Sequence, residues 1–252
     1  MTDAVREPYK EDPEALKSRI MNNTPFSKEE TLKIYESYFW KIPRRLSVVL
    51  IKYRLFEKSV IDVGCGFGHC LIRFGKGSVG LDSLETNVRF GRSIGLNVIK
   101  CNVEDTIPLE NGKYDAAFAS HILEHVVSPH NLLVNLSNKL KDAGLIICVL
   151  SILPRWKLFR FVINDIMKYR GAFSSTHYYQ FTADTARYLV ERGGFEIIDS
   201  FNTWPANMTL NKIMILDGNL INYVIVGRKS TTIINKMLAG RGKNLGKGSK
   251  ID

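Results

Sequence analysis

Val60-Ile-Asp-Val-Gly-Cys-Gly-Phe-Gly-His-Cys70 is the stretch whose reading decides the fold. A β-branched apolar run that ends at Asp62 and gives way to three alternating glycines, Gly64, Gly66 and Gly68, reads as a buried strand breaking into a tight loop that opens a helix. Positions without Cβ let a ligand approach the backbone, and the N-terminus of the helix would offer unpaired N–H groups to an anionic or polar ligand. A glycine-rich turn with no ligand is the plainer alternative, because short glycine patterns recur in many folds.

Outward from this loop, strand and helix alternate. Val60–Val63 is the first strand, followed by Val79–Leu81, Val98–Cys101, Asp115–Ala119 and Leu145–Leu150, with helical spacing over Asn87–Ile94 and Asn131–Leu140. Thr182 can cap a helix through Glu191, ended by Gly193 and Gly194. Phe195–Phe201 and Ile221–Val226 then read as two strands without a long helix between them, which predicts an antiparallel hairpin at the end of the sheet. The expected fold is α/β: a doubly wound, Rossmann-like, seven-stranded and mostly parallel sheet whose last strand is antiparallel.

Upstream, residues 1–26, punctuated by Pro8, Pro13 and Pro25, read as a flexible N-terminus. Ser27 and Glu30 form a capping box that starts a helix at Lys28; Pro43 interrupts it, and a second helical pattern from Leu46 to Phe56 completes a helical cap over 27–58. The main domain spans 59–229, with an insert at 151–176, and 230–252 reads as a basic flexible tail.

At 252 residues and 45% hydrophobic composition, the chain can bury a full core. No apolar run approaches the roughly 20 residues that span a bilayer, and the N-terminus is polar and acidic where a signal peptide would be basic and then apolar, so a cytoplasmic protein is expected. Cys65, Cys70, Cys101 and Cys148 form no C-x-x-C pair and read as buried thiols; no metal site is expected. Arg228 to Asp252 holds seven Lys or Arg against one acid and Ser151 to Gly171 five against one, so these two stretches carry the whole formal charge of +10. The second is interleaved with Trp156, Phe159, Phe161 and Tyr169. It suits a helix packed over a pocket, a contact with an anionic membrane, or RNA.

Asp82 ends the second strand twenty positions after Asp62, where an acid can accept hydrogen bonds from both hydroxyls of a ribose. Joined to the glycine loop it points to an adenosine-containing ligand, while His69 stands where a dinucleotide site wants glycine and argues against a nicotinamide cofactor. The order V-I-D-V-G-C-G-F-G, V-G-L-D, N-V-E-D-T-I-P-L, Y-D-A-A-F-A-S-H-I-L-E-H-V, G-L-I-I-C-V-L, H-Y-Y-Q-F-T and L-V-E-R-G-G-F-E-I-I resembles the class I S-adenosylmethionine-dependent methyltransferases, particularly their small-molecule branch, from about Leu55 to Arg228.

That resemblance implies S-adenosyl-L-methionine as cofactor and S-adenosyl-L-homocysteine as product. It implies that Asp62, Gly64, Cys65, Gly66 and Gly68 border the methionine moiety, that Asp82 holds the ribose, and that Ser83 and Leu84 lie beside the adenine. Asn102 stands where relatives carry Asp near the adenine amino group, Val103 and Glu104 flank the ring, and Ser120 and His121 face the sulfonium end. The [DNS]-P-P-[YFW] motif of amino-methylating enzymes is replaced by A-S-H-I-L, which argues against amino-methylation of nucleic-acid bases and leaves carbon or oxygen acceptors; a small or lipid-like acceptor with an oxygen nucleophile is the expectation. An oxygen acceptor calls for a base. His177 is the preferred candidate, with His121 second, and His125 reads as structural. An RNA methyltransferase and a non-catalytic cofactor-binding protein are the alternatives.

Overall fold

The computed structural model describes residues 12–40, 42, 44–152, 177–202 and 222–233. The β-branched runs form one seven-stranded sheet: β1 Val60–Val63, β2 Val79–Asp82, β3 Val98–Lys100, β4 Tyr114–Ser120, β5 Leu140–Ser151, β6 Phe195–Asn202 and β7 Asn222–Lys229, in the order β3-β2-β1-β4-β5-β7-β6. The pairs β1–β2, β1–β4, β2–β3 and β4–β5 are parallel, and β7 runs antiparallel between β5 and β6. The reversed hairpin expected from the last two apolar runs is therefore present.

Alternation along β4 shows how the strands divide the core. Ala117 and Ala119 face a cluster containing Leu132, Leu133 and Leu136 of α5 (Pro129–Lys139) and Ala186 and Val190 of α6 (Ala183–Arg192). Ala116 and Phe118 face the opposite cluster, closed by Leu46, Val49 and Leu50 of α3 (Arg44–Lys52). Both faces are covered, which is why β1 is buried at all four of its positions, Asp62 included. Each large side chain buried here contributes about 1.5–3 kcal/mol.

The N-terminal region departs from its expectation. Residues 13–23 form a helix, α1 (Pro13–Asn23), where the prolines suggested a flexible segment. Pro13 sits at the first turn, where its missing N–H costs nothing, and the Asp12 carboxylate accepts the Ala15 N–H at 3.0 Å. Leu16 and Ile20 are buried with Tyr35, Phe39, Phe90 and Ile94, which anchors the helix. The capping box at Ser27 starts α2 (Lys28–Ile34) as predicted. α2 runs on into a π-helical turn over Tyr35–Phe39, closed by the Trp40 N–H on the Tyr35 carbonyl at 3.0 Å. Pro43, residues 1–11, the insert over 153–176 and the tail over 234–252 lie outside the described residues.

A second departure lies beside the glycine loop. The loop leads only to a single 3-10 turn, Leu71–Arg73, so the expected α-helix and its N-terminal donors are absent there. The chain turns away at Phe74 because Gly75 lies directly on the preceding backbone: its N–H reaches the Leu55 carbonyl at 3.0 Å, and a Cβ at Gly75 would stand 2.5 Å from the Lys58 nitrogen. Gly75→Ala is expected to destabilise the fold by about 1–3 kcal/mol through this backbone contact. A urea titration would show it as a lower midpoint, and an unchanged midpoint would contradict the close approach.

Candidate functional site

β2 and β3 lie on one side of β1, while β4 and β5 lie on the other. Loops leaving the carboxyl ends of β1 and β4 therefore diverge, and the crevice between them is where open α/β sheets bind ligands. The two loops meet at its base, where a Cβ on Gly64 would come 3.0 Å from Ile122 Cδ1. Gly64, Gly66 and Gly68 all have positive φ, at 67°, 55° and 85°. Gly66 is the one that shapes a cradle: its Cβ direction is open, with no atom within 4 Å.

Asp82, at the end of β2, organises this loop. One carboxylate oxygen accepts the Gly66 N–H at 2.8 Å, and the other accepts the Leu84 N–H at 2.9 Å and the Asn87 side-chain amide at 3.0 Å. A carboxylate offers about four acceptor positions, so the protein uses all but one. The two ribose hydroxyls expected on Asp82 would share the carboxylate with these three donors. Ser83 and Leu84 are exposed beside it, and Leu84 presents 61% of its surface.

Asp62 is 3% exposed, and its Oδ2 has no hydrogen-bond partner among the described residues. Burial pushes its pKa up to about 8; the Leu71 N–H opposes the shift and the nearby Asp82 charge reinforces it. The folded state thus holds a proton that the unfolded chain, with its ordinary pKa near 3.8, releases. Stability from this group is full below the unfolded value of 3.8 and is lost progressively as pH rises from there to about 8. Asp62→Asn is expected to flatten that decline in the ligand-free protein. Urea midpoints between pH 5 and pH 9 that fall equally in both proteins would contradict the assignment.

Aromatic residues of the N-terminal cap pack on the loop. Tyr38, from the π-turn, lies 5.4 Å from Phe67 and 5.6 Å from His69 between ring centroids, and Phe39 packs on His69 and Phe90. His69, noted in the sequence only as a missing glycine, thus serves as a contact for the cap. Cys65 is buried behind the loop, its thiol raised by burial, and all four cysteines are buried thiols, as read from the sequence.

On the β3 side, Asn102 Oδ1 accepts the Glu104 N–H at 3.2 Å and shapes a tight turn. Val103 points into the core, and Glu104 reaches across to the Val127 N–H at 2.5 Å, tying the β3 loop to the β4 loop. Val103 was expected to flank a ligand ring by its backbone and Glu104 by its side chain; the core position of the Val103 side chain leaves the first expectation open.

At the end of β4, after the partly buried Ser120, His121 takes a left-handed backbone conformation at φ 53°, and its N–H donates to the Val149 carbonyl at 2.8 Å. Strain of this kind in a non-glycine residue often marks a functional position. His121 Nδ1 lies 3.2 Å from Glu124 Oε1, which also accepts the Ser151 N–H at 3.0 Å. Glu124, only 1% exposed, is the site residue that sequence reasoning missed. Burial pushes it up, but the hydrogen bonds from His121 and the Ser151 N–H outweigh that and hold its carboxyl below the usual carboxylate range. His125 does not share a helical face with His121, because 121–127 is a turn. Its ring packs edge-on against His177 at 4.5 Å, and the following Tyr178 N–H donates to the Glu124 carbonyl at 2.8 Å.

Residues 36–200 match a family model described as a methyltransferase domain. The ubiquinone biosynthesis O-methyltransferase of Rickettsia bellii is 28% identical over 130 residues, which cover 46% of this chain and 52% of that protein. The chain spans about half or less of the length of the first curated relatives it matches. A SAM-dependent methyltransferase from Thermotoga maritima shares the fold with a TM-score of 0.58 at 19% identity, covering 80% of this chain and 96% of that one. The [4+2]-cyclase SpnF does so at 0.56 and 13% identity, over 74% and 81% of the two chains. No helix among the described residues is long and apolar enough to cross a membrane.

Proposed function

Because the chain belongs to the class I S-adenosylmethionine-dependent methyltransferases, we propose that it transfers a methyl group to a hydroxyl oxygen of a small, largely apolar acceptor. The observation that carries this reading is the cradle at the β1–β4 switch point. Gly66 faces open space, the Asp62 Oδ2 is buried without a partner among the described residues, and Asp82 keeps one acceptor position. Those features fit the cofactor: Asp62 would take its ammonium group, Asp82 one ribose hydroxyl, and the exposed Leu84 surface the adenine.

The cofactor supplies a methyl group already activated on a sulfonium. The protein's task is to align the acceptor, exclude water and take up the hydroxyl proton; alignment alone can be worth on the order of 7–11 kcal/mol in favourable models. His121 directly precedes Ile122, whose side chain meets Gly64, whereas His177 is packed against His125; this supports His121 as the base. An apolar acceptor is supported by exposed large side chains on segments next to the glycine loop and after β4: Tyr38, which packs on Phe67 and His69, and Val127. An oxygen acceptor is supported by the named activity of the curated relatives.

Incubation with methyl-labelled S-adenosylmethionine and fractionated cell extract tests this reading. Label is expected in the small-molecule or lipid fraction, as an O-methyl group by mass spectrometry. Label in RNA would contradict the small acceptor, and cofactor binding with no label in any fraction would leave a cofactor-binding protein without transfer.

A further inference from the structure

We propose that Glu124 is a positioning residue whose carboxylate fixes His121 in its Nδ1–H form and leaves Nε2 as the atom that receives the acceptor's proton. The inference rests on the methyl-transfer reading. Three buried side-chain atoms without a hydrogen-bond partner among the described residues lie on segments at the carboxyl ends of β1 and β4: Asp62 Oδ2, His121 Nε2 and Glu124 Oε2. Buried polar atoms left unpaired cost about 1–3 kcal/mol each, so such a group points to a ligand that completes them.

The geometry assigns the tautomer. An ionised carboxylate only accepts hydrogen bonds, so Glu124 Oε1, 3.2 Å from Nδ1, requires the proton on Nδ1. Ser151 Oγ, 3.4 Å from the same nitrogen, flanks it from β5. Nε2 then carries the lone pair. As the acceptor oxygen bonds to the methyl carbon, the S–CH3 bond breaks with its electron pair kept on sulfur, and the hydroxyl proton passes to Nε2. The resulting imidazolium is balanced by Glu124. Among the described residues Cys148 of β5 also lies near the carboxylate, a thiol raised by burial and by the Glu124 charge, and the His125 and His177 rings pack edge-on on each other.

Glu124 also has a plainer structural role, which the test must separate. Its side chain accepts the Ser151 N–H, and its carbonyl accepts the Tyr178 and Tyr179 N–H groups at 2.8 and 3.3 Å. It therefore joins the chain just before 152 to the chain just after 177. A staple alone needs no particular histidine tautomer.

Two-bond proton–nitrogen correlation spectra of the full chain with ¹⁵N-labelled histidine, alone and with S-adenosylhomocysteine, read the tautomer directly at alkaline pH. The wild-type protein is expected to show His121 with Nδ1–H and a bare Nε2; an Nε2–H form would overturn the proposal without needing any variant to fold. Glu124→Gln keeps the shape and an acceptor for Ser151 but removes the charge. It is expected to bring in the Nε2–H form and to lower transfer of labelled methyl into the small-molecule or lipid fraction of cell extract at least tenfold, with S-adenosylhomocysteine affinity within threefold of wild type. Wild-type tautomer together with wild-type transfer in that variant would overturn the proposal. Loss of cofactor binding in the wild-type protein would instead sink the methyl-transfer reading, while the tautomer would still be read on the protein alone.

Discussion

Asp82→Ala is expected to weaken S-adenosylmethionine binding by roughly a hundredfold or more. A hydrogen bond to a charged acceptor is worth about 1.5–3 kcal/mol, and two consequences follow from one truncation. The ribose loses its carboxylate partner. The Gly66 and Leu84 N–H groups lose theirs as well, at 2.8 and 2.9 Å, so the cradle itself is released. Together these exceed about 2.7 kcal/mol, the equivalent of a hundredfold change in affinity. Asp82→Asn should fall between, because an amide keeps one accepting oxygen and gains a donor that opposes a backbone N–H. Calorimetric titration separates the cases; near-wild-type affinity in Asp82→Ala would remove Asp82 from the binding site.

His121→Asn is expected to slow methyl transfer by about a hundredfold or more while leaving cofactor affinity within threefold. General-base assistance contributes about 10²–10⁴ in rate, and His121 is the histidine beside the Gly64–Ile122 contact. Asparagine is the informative replacement because it tolerates the positive φ of 53° better than most side chains. The backbone bond to Val149 and the fold are therefore preserved, and a loss reports on the imidazole. Single-turnover transfer with labelled cofactor is the measurement. Undiminished transfer would return the role to His177, whose ring lies against His125.

The sheet was legible because its central strands are buried on both faces. Val60–Val63, apolar but for Asp62, and Leu145–Leu150 read as short apolar runs, and no helix-period pattern competes with them. The glycine loop and Asp82 were legible because the backbone conformation and the strand-end acid each constrain residue type locally. What the loop led to was not. The turn at Leu71–Arg73 is cut short by Gly75 against Glu57 and Lys58, a contact between segments far enough apart in sequence that no local pattern records it.

α1 was hidden for a different reason. Asp12 and Pro13 form an N-cap followed by a first-turn proline, a helix-start signal that also looks like a break when prolines recur nearby. Glu124 had a usable signal in its spacing: it lies three residues after His121, within reach across a turn. Its partners Ser151 and Tyr178 come from distant parts of the chain, and only the fold brings them to one residue. Likewise, only the fold shows that Gly66, Leu84 and Asn87 occupy three acceptor positions of Asp82.

The central claim is that the β1–β4 crevice holds S-adenosylmethionine in the Gly66 cradle beside Asp82. Isothermal titration of the wild-type chain with S-adenosylhomocysteine, set beside NAD as a second adenosine-containing ligand, tests it most directly. Saturable one-to-one binding of S-adenosylhomocysteine with none of NAD is the predicted result. Absence of S-adenosylhomocysteine binding, or equal binding of NAD, would contradict it.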